Sequence, residues 1–265
     1  MIEFSENFRS RFAGVARLYC VPAFEKITGA HVCLVGLGGV GSWACEALAR
    51  SGIRRLTLVD MDDVCLTNTN RQLHALDGNF GRAKAEILAA RVRAINPECD
   101  VAVEKMFVTE TSASEFFEKN RGRFDIVADA IDGARNKAAL IAAAKNSGTP
   151  VVSSGGCAGK RDGTRVERAD LADVEGDALL KFVRRELRAR FGFPKGNSGE
   201  KIGVRVVFSR ELPHAPESLN DAFPQMISPA GGKPRAGTAA FVTGAFGLAL
   251  AQLVIEFLIQ KSEKF

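Results

Sequence analysis

Along this chain, short blocks of consecutive apolar residues alternate with longer segments in which apolar positions return every three to four residues. Val32–Val35, Leu56–Val59, Val101–Val103, Phe124–Ile131 and Pro150–Ser153 are the blocks. Unbroken apolar runs of this length mark strands covered on both faces, as in a parallel sheet. Ser42–Ser51, Arg82–Ile95, Ser112–Lys119 and Ala134–Asn146 carry the helical period, and Asn96-Pro97 stops the second of them. Strand and helix in strict alternation predict an α/β, doubly wound and mainly parallel sheet.

Past residue 160 the pattern changes. Arg165–Arg168 and Val204–Ser209 alternate like half-exposed strands, and Asp177–Phe191 between them has a helical period. Gly192–Lys201 and Pro213–Gly237 are rich in Gly, Pro, Ser and Asn and read as loops. Residues 1–160 are therefore expected to form a core with an amino-terminal amphipathic arm, Phe8–Lys26. Residues 161–265 are expected to form an antiparallel and helical extension packed on the same domain. Thr238–Ile259 is apolar and long enough to span a bilayer, but Gln252 and Glu256 lie within it. Charge at membrane depth is expensive, so a buried or interface helix is favoured over membrane association.

The first apolar block runs into Gly36-Leu37-Gly38-Gly39-Val40-Gly41, and the second ends on Asp60. A glycine-rich turn between strand and helix, with an acid about 20 residues on, makes a Rossmann-like nucleotide-binding βαβ unit. Gly36 permits the tight turn, Gly38 lets the backbone approach a phosphate and Gly41 lets helix and strand pack closely. The helix start that follows attracts anions, and Asp60 is placed to accept hydrogen bonds from a ribose.

Composition narrows the setting without choosing a ligand. The 265 residues carry a net charge of +5, a modest excess that suits an anionic partner. Six cysteines, including Cys157, are scattered without any C-x-x-C pair, against structural zinc or a disulfide framework. Cys157 in its Gly-rich turn is read as a buried, inert thiol. His31, His74 and His214 show no ligand spacing. With no apolar leader at its amino terminus, the chain is expected to be cytoplasmic.

The choice of nucleotide turns on what lies around the carboxyl ends of the strands. After Asp60 the acidic, amide-rich stretch from Met61 to Gln72 reads as a loop over that edge, with Asp62 and Asn68 in it. Arg71 and Lys84 converging there suit a triphosphate, and Asp132 after the later strand suits Mg²⁺. ATP is therefore preferred to NAD, and Asp132 is also a candidate N-cap for the helix at Ala134.

Together, Gly36-x-Gly-Gly-Val-Gly41, Asp60, Asn68-Thr-Asn-Arg-Gln72, Gly81-x-x-Lys84 and Ala130-Ile-Asp132 resemble the ThiF/MoeB/HesA superfamily of adenylating and ubiquitin-activating enzymes. The resemblance implies that Asp60 binds the ATP ribose and that Asn68, Arg71 and Lys84 hold ribose or phosphates. It implies that Asp132 positions Mg²⁺ and takes part in adenylation. Arg17 falls where the family places an arginine reaching the partner subunit's ATP, which implies a homodimer.

Arg11–Tyr19, Gly41–Arg50, Ile95–Cys99 and Phe241–Gly247 are further similar to the branch acting on threonylcarbamoyladenosine in tRNA. That branch uses ATP to activate the carboxylate of the modification, which a nitrogen of the same group then attacks. The implied function is ATP-dependent cyclisation, a net dehydration. The alternative is adenylation of the carboxyl terminus of a ubiquitin-like sulfur carrier, and a sulfur-transfer partner stays open. A non-catalytic NAD-binding module is the third reading.

A tRNA substrate needs a cationic surface. Lys181, Arg184, Arg185 and Arg188 fall at i, i+3, i+4 and i+7 on one helical face, and Lys160 and Arg161, with Arg165 and Arg168, are the other candidates.

Overall fold

The computed structural model describes residues 3–195, 199–214 and 236–260. A seven-stranded sheet runs through its centre in the order β3-β2-β1-β4-β5-β7-β6. The strands are β1 (His31–Val35), β2 (Arg55–Val59), β3 (Asp100–Glu104), β4 (Ile126–Asp129), β5 (Val151–Ser154), β6 (Glu167–Asp170) and β7 (Arg205–Phe208). All neighbouring pairs are parallel except β6 with β7. The strand order reverses between β1 and β4, so both carboxyl ends face one crevice, where ligands bind in open sheets of this kind.

Alternate residues of β1 feed the two faces. Val32 and Leu34 pack beneath α3 (Gly39–Arg50), α4 (Lys84–Ile95) and α8 (Ala240–Gln260). Cys33 and Val35 pack beneath α5 (Glu110–Lys119), α6 (Ala134–Asn146) and α7 (Ala178–Phe191). Asp177 caps α7 by accepting the Leu180 N–H at 2.9 Å, and Gly192 ends it in the left-handed region.

The amphipathic amino-terminal arm is built as two helices. α1 (Glu6–Tyr19) and α2 (Val21–Gly29) break at Cys20, whose φ of 64° cannot continue a helix, and Pro22 sits in the first turn of α2. Phe8, Phe12 and Phe24 bury themselves between the two as a separate small core. Periodicity alone runs across such a break. α1 is tied by Ser5 to Glu98 and by Arg11 to the carbonyl of Ile95, where the chain enters β3.

Strand β7 also differs from its half-exposed reading. It inserts between β5 and β6 and buries Val206, Val207 and Phe208, leaving the edge to β6. The carboxyl-terminal segment thus continues the main sheet. The last helix, α8, lies along α3. A Cβ at Gly247 would sit 2.4 Å from the Val40 carbonyl oxygen and 2.7 Å from the Trp43 Cβ, so the helices meet in near backbone contact. Glu256 of α8 pairs with Arg168 at 2.5 Å and Arg205 at 3.3 Å. α8 is long and apolar enough to cross a membrane, yet most of its large side chains are buried against the sheet and α3. The loops expected over Gly192–Lys201 and Pro213–Gly237 fall partly outside the described residues.

Candidate active site

Three glycines of the first turn answer to different demands. Gly36, at φ +85°, sits where a Cβ would press on the Ala130 carbonyl carbon at 2.9 Å, so β1 and the loop after β4 touch through it. A Cβ at Gly41 would lie 1.8 Å from the Gly36 carbonyl oxygen, which makes the turn impossible with any other residue. Gly38 is different: a Cβ there would meet only the Gln72 Nε2, at 3.7 Å. Among the described residues no close contact demands glycine at position 38. It opens the start of α3, which has no side-chain cap and whose free backbone N–H groups suit a phosphate.

Asp60 closes the other side of the turn. Its Oδ2 accepts the Leu37 N–H at 2.6 Å and its Oδ1 the Asp62 N–H at 2.8 Å. Burial raises its pKa above the usual carboxylate value, while those N–H groups and Lys84 pull it back down.

The loop after β2 is folded over the carboxyl edge by its own polar groups. Buried Asn68 accepts the Cys65 N–H at 3.0 Å through Oδ1. The Arg71 guanidinium donates to the Thr67 carbonyl at 2.8 Å and to Asn70 Oδ1 at 2.9 Å. The Arg71 carbonyl in turn accepts from Trp43 Nε1 at 3.2 Å and Thr243 Oγ1 at 3.0 Å, so α3 and α8 together set this arginine. Lys84, buried at the start of α4, holds Asp62 Oδ2 at 2.8 Å.

Across the crevice, β4 ends on a network absent from the sequence reading. Asp129 and Lys137 are both fully buried and paired at 2.8 Å, and Ser153 Oγ of β5 donates to the same carboxylate oxygen at 2.7 Å. The other oxygen accepts the Ile131 N–H at 3.0 Å, which fixes the loop carrying Asp132. Asp132 itself is exposed, and it is not the cap expected for α6. The N-cap is Gly133, with no side-chain cap bond. The Asp132 carboxylate is therefore not spent on capping the helix.

The glycine turn, the loop after β2 and the loop after β4 thus carry Gly38, Asp60, Arg71, Lys84 and Asp132 along the carboxyl edge, at a topological switch point. Such an arrangement suits a nucleoside triphosphate. Among the described residues no group of three or more His, Cys, Asp or Glu side chains could hold a metal ion. The exposed carboxylate of Asp132 is the kind of single protein ligand with which Mg²⁺ binds beside phosphates and water.

Comparison with known proteins decides the family. The ThiF family model matches residues 10–265, nearly the entire chain. The chain belongs to the ThiF family. The tRNA threonylcarbamoyladenosine dehydratase of Escherichia coli is 43% identical over 265 residues, covering 98% of this chain and 97% of that protein. The Bacillus subtilis enzyme of the same name is 43% identical over 189 residues, 71% of this chain and 70% of that protein. A crystal structure of the E. coli dehydratase with ATP superposes at a TM-score of 0.87 with 42% identity, covering 99% of both chains.

Within this ThiF chain the expected tRNA contacts divide sharply. Lys160 is buried, its ammonium donating to the carbonyls of Ser209 at 2.7 Å and Glu211 at 3.0 Å, so it is no surface cation for a phosphate. Arg184 and Arg188 turn back onto the Leu171 and Pro194 carbonyls, at 3.1 and 2.9 Å. Burial lowers the Arg184 pKa, with Arg188 beside it adding to the effect. Lys181, Arg185 and Arg161 are exposed. A stripe read at helical spacing does not disclose which members are spent on nearby carbonyls.

Cys157 is half-buried by surface area, yet burial of its thiol pushes the pKa up to about 12, so it stays protonated at neutral pH. Sequence reasoning missed Asp129 and Lys137 because the acid ends an apolar run and the lysine lies within an alanine-rich helix. Gln72 was visible only as part of the Asn-Thr-Asn-Arg-Gln run. Its buried Oε1 has no hydrogen-bond partner among the described residues.

Proposed function

We propose that this chain is an ATP-dependent dehydratase that cyclises threonylcarbamoyladenosine in tRNA through an acyl-adenylate. The observation that carries this reading is full-length likeness, at 43% identity, to an enzyme of that name, with the nucleotide crevice described above. A carboxylate is a poor acyl donor. Its attack on the α-phosphate of ATP breaks the bond to pyrophosphate and leaves an acyl-adenylate with AMP as leaving group. A nitrogen of the same modification then attacks the acyl carbon, AMP departs, and the N–H proton is lost to solvent. Because nucleophile and electrophile belong to one group, ring closure gains from proximity and needs neither an enzyme thiol nor a sulfur donor.

The residues take distinct parts in these steps. The N–H groups of Gly38, Gly39 and Gly41 cradle phosphates, and Asp60 and Asn68 orient the ribose side. Arg71 and Lys84 offset charge growing on the α-phosphate and departing pyrophosphate, Asp62 keeping Lys84 on the crevice side. Asp132 would hold Mg²⁺, which when bound lowers the cost of charge on the departing pyrophosphate.

A homodimer fits the same reading. Arg17 is exposed at the end of α1, beside exposed Leu18 and Val21. It serves the partner's nucleotide across that apolar surface. The exposed Lys181 and Arg185 meet tRNA phosphates, and the enzyme works in the cytoplasm with its tRNA.

ATP–pyrophosphate exchange tests the first half-reaction. Exchange should appear only with tRNA bearing the modification. Exchange driven instead by the carboxyl terminus of a sulfur-carrier protein would replace this reading with the alternative one.

A further inference from the structure

The carboxyl edge holds a second recess, lined by residues other than those of the glycine turn. A cavity of about 240 Å³ opens between the loop after β5, His214 and the segment leading into α8. Gly159, Arg161, His214, Thr238 and Phe241 are among its lining residues. Its walls are built rather than incidental. The Gly159 N–H donates to the Gly237 carbonyl at 2.7 Å, and the His214 N–H donates to the Gly159 carbonyl at 2.8 Å. Glu211 accepts the Arg161 N–H at 2.9 Å and lies 3.5 Å from His214 Nε2.

The same walls are coupled to the phosphate cradle. Asn70, next to Arg71, donates to the Thr238 carbonyl at 2.8 Å. Thr243, two residues beyond Phe241, binds the Arg71 carbonyl, and its Cγ2 would lie 2.9 Å from a Cβ on Gly39. The recess therefore adjoins the triphosphate side of the crevice.

Its lining has a definite chemistry. Phe241 is 64% exposed, an exposure that Leu248 of the same helix shares at 53%. Exposed Arg161 and His214 line the same recess. An open aromatic ring flanked by a guanidinium and an imidazole suits a stacked base with its neighbouring phosphates. The volume admits one heteroaromatic ring, not a folded domain.

We infer that this recess receives the purine of the modified adenosine, turned out of its stack, with Phe241 as the stacking platform and Arg161 at an adjoining phosphate. This assignment rests on the tRNA-dehydratase reading above. The carboxylate to be activated hangs on the N6 substituent, several bonds from the ring. The ring must then sit beside the ATP crevice rather than in it, which is where the recess lies.

The test uses the full-length chain, modified tRNA and the free threonylcarbamoyl nucleoside. Phe241→Ala should raise the KM for tRNA roughly 5- to 100-fold, the span of base-stacking losses, with the ATP dissociation constant unchanged. Phe241→Trp should restore it, and the nucleoside should bind wild type but not Phe241→Ala. Arg161→Gln should raise the tRNA KM and reduce its salt dependence. A wild-type KM in Phe241→Ala, or a loss that Phe241→Trp does not recover, overturns the assignment. Where Phe241→Ala also loses ATP binding, Arg161→Gln decides, and an unchanged tRNA KM there overturns it. Failure of the wild-type protein to convert tRNA at all would instead overturn the reading on which the recess rests.

Discussion

Gly38 and Gly41 show how identical residues in one motif do different work. Gly41→Ala places a methyl inside the Gly36 carbonyl and should prevent stable folding. Gly38→Ala meets only a glutamine side chain 3.7 Å away, so the thermal midpoint should stay near wild type while the ATP dissociation constant rises at least tenfold. Calorimetric titration beside thermal melting separates the two; a Gly38→Ala protein with normal ATP affinity would remove the cradle from the site. Asp132→Ala likewise isolates chemistry from stability. The residue is exposed and caps no helix, so its loss should cost under about 0.5 kcal/mol in urea unfolding. Pyrophosphate exchange should nevertheless fall by about 100-fold or more, in the range of lost transition-state charge stabilisation. The glycine turn and Asp60 are legible in sequence because backbone sterics and strand polarity fix their roles locally. Lys160 misleads for the opposite reason: which carbonyls its ammonium finds depends on β7, some fifty residues away.

Elements translate these residues into a site. The loop bearing Asp132 is set by Asp129, and Asp129 by Lys137 of α6 and Ser153 of β5, all inside the protein. Lys137→Met leaves a buried carboxylate without its cation and should cost about 3–5 kcal/mol in urea unfolding. Pairing it with Asp129→Leu should recover part of that loss without recovering pyrophosphate exchange, because the Ile131 N–H then loses its acceptor. Recovery of both would reduce the network to simple packing. Helix α8 acts at longer range, since its Thr243 holds the Arg71 carbonyl. Apolar runs and helical periods located most elements of this fold to within a few residues. They did not locate the break at Cys20 or the insertion of β7 inside the sheet. The first is a single backbone dihedral, and the second is a tertiary pairing that no local pattern encodes.

At the scale of the whole molecule, two buried histidines tie stability to pH. Burial lowers His31 to about 4, helped by nearby Arg123 and Arg55, and lowers His74 to about 4, helped by Lys84. The unfolded chain binds these protons near pH 6.5, so it holds more protons than the folded chain between the two values. Their contribution is fully present above pH 6.5 and is lost as pH falls through 4, by about 2 kcal/mol per group. Urea titrations from pH 7 to 4 should show that decline; equal stability at both ends would contradict it. The modest net charge of +5 conceals an uneven surface, because Lys160, Arg184 and Arg188 are spent inside the fold. Of the cations read from the sequence as tRNA contacts, Lys181, Arg185 and Arg161 remain exposed.

Mass spectrometry of nucleosides from tRNA incubated with the protein, Mg²⁺ and ATP reads the cyclisation itself. Threonylcarbamoyladenosine should lose one water, only when ATP is present, and AMP should accumulate in equal amount. Unchanged nucleoside in the presence of protein that still binds ATP would contradict the account.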